Sequence, residues 1–220
     1  MWAERIPAML SIPTGPPRTS GVHLSGLTRS MAVDYGLLDR KWIQEELKLV
    51  EVREDQETWW NGLDEPSKVR MSIGLAWEAW YLPQIAGVVH QPGEMCLNGI
   101  FMTPDGESLE VVVTETRPRP HHHLFLHEVK TTSKSTNTVG DLNVKNPKNW
   151  MWLTPMKCYC KGAGTTSAYL HILYLYGDYS YPLSPIAHVW QIEFTQDEVD
   201  ETWQLVEDYR DAKASLGLLN

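Results

Sequence analysis

Glu128 and Lys130 stand two residues apart in the stretch Leu124-Phe125-Leu126-His127-Glu128-Val129-Lys130-Thr131-Thr132. The stretch reads as a strand that opens apolar and closes in an acid, a hydrophobe, a base and two hydroxyls. Alternate side chains of a strand share a face. Glu128 and Lys130 therefore point the same way, with Val129 turned into the core. A carboxylate and an ammonium fixed side by side at a strand end can hold a divalent cation and position a water beside it. The spacing by itself is weak evidence, because the chain has a second copy, Glu46-Leu47-Lys48. That copy lies in a charged, helix-like run where the two side chains diverge, and it reads as solvated surface.

Two further acids belong to the argument. Asp64-Glu65-Pro66 is a helix start, a capping acid with proline in the first turn, and the helix should run to about Leu82. Gly74 and Glu78 share a face of it. Glu78 is set in an apolar run, Leu75-Ala76-Trp77-Glu78-Ala79-Trp80. A buried carboxylate needs a partner, and a metal, an arginine or a watered edge would each serve. Asp105 lies in Pro104-Asp105-Gly106, a turn in which proline fixes φ and glycine permits the reversal. Turn aspartates are ordinary. Strands expected at 94–103, 109–116 and 124–131 form an antiparallel meander around it. The second strand runs away from Asp105 and the third returns, so Asp105 and Glu128 are expected at one end of the sheet.

The remaining elements follow from local pattern. Residues 1–22 read as an irregular arm, Val22 to Leu27 as a short extended segment, and 35–53 as an amphipathic helix. Residues 133–149 are polar and read as a mobile loop. Trp150 to Lys161 is a helix containing Pro155, stopped by Gly162-Ala163-Gly164. Residues 168–176 form a central strand and 188–194 an edge strand. Thr195 and Glu198 make a capping box for a closing helix over 195–216, with Val199, Trp203 and Val206 on its core face. The expected fold is α/β, with an α+β-like segregation: a mixed central sheet with an antiparallel three-strand meander, flanked by helices. One domain, 1–220, is expected, its core at about 65–194.

Composition narrows the function. The chain has 220 residues, 42% of them hydrophobic, enough for a sizeable core. No apolar run approaches the roughly 18 residues that cross a bilayer, and the N-terminus lacks a signal-peptide stretch. No membrane partner is expected, and a cytoplasmic setting fits. Three cysteines, Cys96, Cys158 and Cys160, suggest no disulfide framework. They are one short of the four thiolates usual for an iron–sulfur cluster. Cys158 and Cys160 read as packing residues on either side of Tyr159. The three consecutive histidines, 121–123, cannot converge on one ion from an extended loop. A net charge of −9 argues against coating nucleic acid by bulk electrostatics. The charge is uneven, however. Lys130, Lys134, Lys145, Lys148, Lys157 and Lys161 fall in a stretch with one acid, Asp141. Such a strip is either a solvated loop or a track for a phosphate backbone. Trp150 and Trp152 lie beside it, placed either in the core or to stack bases.

Taken in order, the pattern is G-x-x-x-E on a helix (Gly74, Glu78), T-P-D-G (Thr103 to Gly106), E-V-K-T-T (Glu128 to Thr132), then a helix with Lys157 and Tyr159. It resembles the PD-(D/E)XK nuclease superfamily, and more narrowly the phage-type and RecB-like exonucleases that include lambda exonuclease, over about residues 70–194. The resemblance implies a restriction-endonuclease-like core. It implies Mg²⁺ or Mn²⁺ held by Asp105, Glu128, Glu78 and the Val129 backbone carbonyl, with Lys130 orienting water and offsetting transition-state charge. It also implies that Lys134, Lys157 and Tyr159 touch substrate. The helix that often carries Q-x-x-x-Y in this family has Tyr159 but Pro155 at the glutamine position. No iron–sulfur cluster is expected. The function implied is a metal-dependent DNA exonuclease in recombination, repair or phage DNA processing, in the host cytoplasm if phage-encoded. Its implied partners are DNA and either further copies of the chain or a recombination protein. A catalytically inactive nuclease-fold module that binds DNA or protein is the second reading, and the same metal core acting on RNA the third.

Overall fold

The run His121–Thr132 forms the longest strand among the described residues, with a continuously buried middle. It can lie at the centre of a sheet because its apolar middle is flanked on both sides. One edge pairs antiparallel with Gly106–Val112, the other parallel with Ser167–Tyr174. The computed structural model describes residues 19–38, 50–51, 65–113, 119–139 and 149–219.

In chain order the elements are β1 (Gly21–His23), α1 (Leu24–Asp34), β2 (Val50–Glu51), α2 (Glu65–Tyr81), a 3₁₀ turn (Leu82–Gln84), β3 (Val88–His90), β4 (Met95–Leu97), β5 (Ile100–Met102), β6 (Gly106–Val112), β7 (His121–Thr132), α3 (Thr136–Val139), α4 (Trp150–Ala163), β8 (Ser167–Tyr174), β9 (Ile186–Glu193) and α5 (Gln196–Ser215). The main sheet has the order β3-β6-β7-β8-β9 and is mixed, since only β7 and β8 run parallel. A smaller sheet has the order β2-β1-β5-β4. The architecture is thus mixed sheets flanked by helices, as the sequence pattern implies. Among the described residues no helix is long and apolar enough to cross a membrane.

α4 sits between two apolar clusters. Leu153, Met156 and Cys160 face Leu126, Leu170, Ile172 and Tyr174 of the main sheet. Cys158 faces Leu24, Leu27, Met31, Met102 and Trp203. Tyr159 packs against both clusters. Burial makes both thiols poor acids, pushing Cys160 up to about 12 and Cys158 higher still. They are packing residues. The helix stops at Gly164, whose φ of 69° is the left-handed cap that glycine tolerates. The closing helix opens on the expected capping box, Thr195 with Glu198, and buries Val199, Trp203 and Val206.

Several local expectations are corrected. The segment 94–103 is not one strand. Asn98 and Gly99, at φ 49° and 79°, turn it into the β4–β5 hairpin of the smaller sheet. The first strand of the antiparallel trio is β3 instead. Helix α1 begins at Leu24, where an extended segment was expected. Leu24, Leu27, Thr28 and Met31 recur at helical spacing and are buried, so packing overrides the turn-like Ser25-Gly26 pair. Of the helix expected at 35–53, Tyr35 to Leu38 are turn and bend, and Val50–Glu51 pairs with β1. The rest of it lies outside the described residues, as do Glu46-Leu47-Lys48, most of the N-terminal arm, and residues 140–148 of the polar loop. His121 to His123 belong to β7, paired with Val112 to Glu110.

Gly106 is not a reversal glycine. It is the first residue of β6, and an added Cβ would meet Leu82 Cδ1 and Val88 Cγ1 at 3.2 Å and the Val89 carbonyl at 3.3 Å. The absent side chain lets β3 and the 3₁₀ turn close over the strand. Gly106→Ala is expected to cost about 1–3 kcal/mol by overpacking, seen as a lower urea midpoint. An unchanged midpoint would mean that this corner is loosely packed.

Candidate active site

The β6–β7 register sets the site. Gly106 pairs with His127, and one further step places Asp105 opposite Glu128. Asp105 is fixed there by its own strand start: its Oδ2 accepts from the Val129 N–H at 2.7 Å, and its carbonyl accepts from the Gln91 N–H at 2.9 Å. The Val129 side chain is buried, so Glu128 and Lys130 share the opposite face. They touch directly, Lys130 Nζ donating to Glu128 Oε1. Glu128 is only 4% exposed, whereas the Lys130 side chain keeps 31% of its surface. Solvent therefore reaches part of the Lys130 side chain but not the carboxylate it is bonded to.

Glu78 arrives from α2. That helix approaches β7 closely at Gly74, where a Cβ would come within 3.2 Å of Thr131 Oγ1. One turn on, Glu78 Oε1 lies 3.0 Å from His90 Nε2 and accepts from Gln91 Nε2 at 3.3 Å. His90 and Gln91 were not read from the sequence as part of the site. The signal for them was the buried carboxylate itself, which needed a partner.

The electrostatics tie the four groups together. Asp105 is raised well above the usual aspartate range, chiefly by burial, then by the charge of Glu128, with a smaller push from Glu78. Lys130 and the Val129 N–H pull the other way and do not prevail. For Lys130, burial disfavours the charged form. The charges of Glu128 and Asp105, the bond to Glu128 and the charge of Glu78 outweigh it, and the pKa rises. Lys130 thus stays an ammonium at neutral pH.

The donors suit a divalent cation in kind. They are oxygens, the ligands that Mg²⁺ and Mn²⁺ prefer. Glu128 Oε2 is buried without a hydrogen-bond partner, a costly state that a cation would relieve. Asp105, raised first by burial and then by the charge of Glu128, is a second carboxylate that a cation would relieve. Among the described residues, however, no three His, Cys, Asp or Glu side chains stand together as a group able to hold a metal ion. Glu78 is turned to His90 and Gln91 rather than to its fellow acids.

The other expected substrate residues are placed differently. Lys134 is exposed just beyond β7. Lys157 is buried, its ammonium 3.6 Å from Glu198 and over the Phe194 ring. It is held in the packing of α4 on α5 and is not offered to a phosphate. Lys161 is likewise paired, with Asp200 at 2.7 Å. The basic strip and the acidic last helix neutralise each other here. Tyr159 is core packing between the two clusters. Trp150 and Trp152 pack beside those clusters too.

On the other face of β7 lies a buried polar chain. Ser108 Oγ is 2.9 Å from His127 Nε2, His127 Nδ1 is 3.0 Å from His171 Nε2, and His171 Nδ1 is 3.2 Å from the Tyr81 hydroxyl. Tyr81 stacks on Trp77 at 4.6 Å. The chain links β6, β7 and β8 to the end of α2, three residues beyond Glu78.

No protein-family model and no curated protein matches the sequence. Solved structures that align with this chain include SSO0001, at 10% identity and a TM-score of 0.44 over 91% of this chain and 80% of that one. An alkaline exonuclease, LHK-Exo from Laribacter hongkongensis, aligns at 15% identity and a TM-score of 0.38 over 66% and 69% of the two chains. LHK-Exo in complex with dAMP aligns at 16% and 0.38 over 91% and 95%. TM-scores below 0.5 leave the function to be argued from the site.

Proposed function

We propose that this protein is a divalent-metal-dependent nuclease that hydrolyses phosphodiester bonds in DNA. The observation that carries the reading is the meeting of Asp105, Glu128 and Lys130 at the end of β7, with the Glu78 charge felt by both Asp105 and Lys130. Three acids and one amine drawn from α2, the start of β6 and β7 are more than core packing asks for. Buried like charges are expensive, and sites that tolerate them are those where a ligand or a reaction uses them.

Asp105 and Glu128 would hold Mg²⁺ or Mn²⁺, joined by the Val129 carbonyl and by Glu78 once it leaves His90 and Gln91. Bound there, the cation would lower the pKa of a water and draw charge from a non-bridging phosphate oxygen. Lys130 acts as a donor. Its ammonium orients the attacking water by donating to its oxygen and offsets the charge that gathers on the phosphate as the P–O bond breaks. The buried Glu128 fixes that ammonium, so little reorganisation is needed at the moment of reaction. The Val129 N–H fixes the Asp105 carboxylate in the same way. Attack from a DNA end, in a single nuclease-like domain serving recombination, repair or phage DNA processing, rests on the resemblance of the motifs to the RecB-like exonucleases alone.

Incubation of the protein with linear and closed circular DNA in Mg²⁺ or Mn²⁺ tests this. The expected result is release of nucleotides from the linear form, abolished by EDTA and by Asp105→Ala. Cutting of the circle would make it an endonuclease. Equal inertness of the wild-type protein and the variant would sink the enzymatic reading in favour of a binding module.

A further inference from the structure

A groove of about 430 Å³ runs between the first half of α2 and the ends of β7 and β8. Its walls include Arg70, Ile73, Thr131, Thr132, Ser133 and Tyr176. None of these belongs to the acid–lysine site, yet Ser133 is three residues of extended chain beyond Lys130, about 10 Å. The Arg70 guanidinium is exposed and donates to Ser67 Oγ at 2.9 Å. Among the described residues no carboxylate neutralises it.

Beside the groove, the β8–β9 connection presents tyrosines to solvent. Tyr176 is 46% exposed, Tyr179 54% and Tyr181 96%. The rings of Tyr176 and Tyr179 lie 6.2 Å apart at 34°. The connection is pinned to the strand end. The Tyr179 hydroxyl donates to the Ser133 carbonyl, and the Thr136 N–H donates to the Gly177 carbonyl at 3.0 Å. Asp178, exposed between these tyrosines, accepts from the backbone N–H and hydroxyl of Ser180, at 2.8 and 3.0 Å. Gly177 has φ 57°, and a Cβ there would lie 2.5 Å from the Ser184 carbonyl. A tied connection that exposes three aromatic rings has not merely failed to bury them. Clustered exposed aromatics mark a binding surface.

We infer that this groove and its tyrosines form a binding track for single-stranded nucleic acid that leads to Lys130. Phosphates would pass along Arg70 and the hydroxyls of Thr131, Thr132 and Ser133, while unpaired bases stack on Tyr179 and Tyr181. The chemistry selects the ligand. A guanidinium beside hydroxyl donors suits a phosphate, and an open ring face suits a base of any identity. A duplex keeps its bases stacked on one another, so the tyrosines favour a single strand. Glu65, which also lines the groove, stands at the start of α2, before Arg70, and limits the basic stretch to the neighbourhood of Arg70. The inference rests on the nuclease reading only for where the strand is led. Binding is independent of cleavage.

The test is the affinity of the full chain for a fluorescein-labelled 12-mer, single-stranded and as duplex, by anisotropy in EDTA at several salt concentrations. Tighter binding of the single strand is expected. Tyr181→Ala should weaken it about 5- to 100-fold, and Tyr181→Phe should keep it. Arg70→Ala should weaken binding and reduce the slope of log affinity against log salt by about 0.7. Since both side chains are exposed, far-ultraviolet circular dichroism should be unchanged in each variant. Equal affinity for the two DNA forms, or wild-type affinity in Tyr181→Ala, would overturn the track. DNA cleavage that persists without this binding would sink the inference alone. Binding by a wild-type protein that cleaves no DNA in Mg²⁺ or Mn²⁺ would sink the nuclease reading alone.

Discussion

Lys130→Ala is expected to slow DNA hydrolysis at saturating Mg²⁺ or Mn²⁺ by about 10²- to 10³-fold and to weaken the metal-free fold as well. The two losses share one cause. The ammonium is bonded to the buried Glu128, and the charges of Glu128, Asp105 and Glu78 hold it protonated. Its removal leaves Glu128 buried with neither oxygen partnered, since Oε2 already has none. Breaking a buried pair from one side costs roughly 3–5 kcal/mol. The lower end applies here, because 31% of the Lys130 side chain is exposed and the vacated space admits water. A cation can replace the lost charge but not the directed N–H donors. Mn²⁺ should therefore restore the urea midpoint of the variant more than its rate. Lys130→Arg keeps the charge in a planar fork and should likewise recover stability more than activity. The comparison needs urea curves in EDTA and in Mn²⁺, with initial rates on the same preparations. A variant that cleaves at the wild-type rate would remove Lys130 from the chemistry. One with no change in midpoint would show that the pair contributes nothing to the fold.

What could be read from residues alone divides along the length of the interaction. The pairing of Glu128 with Lys130 is a period-two relation within one strand, and the Thr195–Glu198 box is three residues long. Both are visible wherever the strand or helix is recognised. Asp105 facing Glu128 needed only a short antiparallel connection, and the order of strands sufficed. Lys157 looked basic and available because its partner Glu198 is 41 positions away, across a helix–helix contact that no local pattern records. The β4–β5 hairpin carried an Asn-Gly turn in plain view, yet the apolar run around it looked like a single strand. Assigning it to a second sheet required knowing that β1, far upstream, pairs parallel with β5. The histidine pair was invisible for the same reason. His127 and His171 meet only because β7 and β8 run parallel in one particular register.

That pair should make the protein acid-labile, and the sign can be worked out. Burial lowers His127 to about 4, and burial with the nearby His127 lowers His171 to about 4, against an ordinary 6.5. Between pH 6.5 and about 4 the unfolded chain binds protons that the folded chain refuses, so stability falls as pH falls through this window. Both side chains are buried, at 2% and 3% exposure, so solvent screens little of the effect. Because the rings share one hydrogen bond, the two shifts do not add in full. A loss of about 3–5 kcal/mol between pH 7 and pH 4 is the expected size. Asp105 works in the opposite direction. Its pKa is raised above 3.8, so in metal-free protein its contribution favours the fold at low pH and fades as pH rises. A double variant, His127→Gln with His171→Gln, separates the two. It should lose most of the decline below pH 6.5 and leave the Asp105 slope exposed. The structural consequence reaches the acids. If both rings are protonated, His127 Nδ1 and His171 Nε2 present two N–H groups to each other and repel, while His171 Nδ1 can still donate to the Tyr81 hydroxyl. The repulsion pushes His171 away from His127, and Tyr81, bonded to that ring, moves with it, so the turn of α2 that carries Glu78 is the first to loosen. Hydrogen exchange at pH 5 should show faster exchange at the amides of residues 77–81 than in the α4 core, ahead of global unfolding. Uniform exchange across both helices would mean that the histidines stabilise the whole fold without specially holding Glu78.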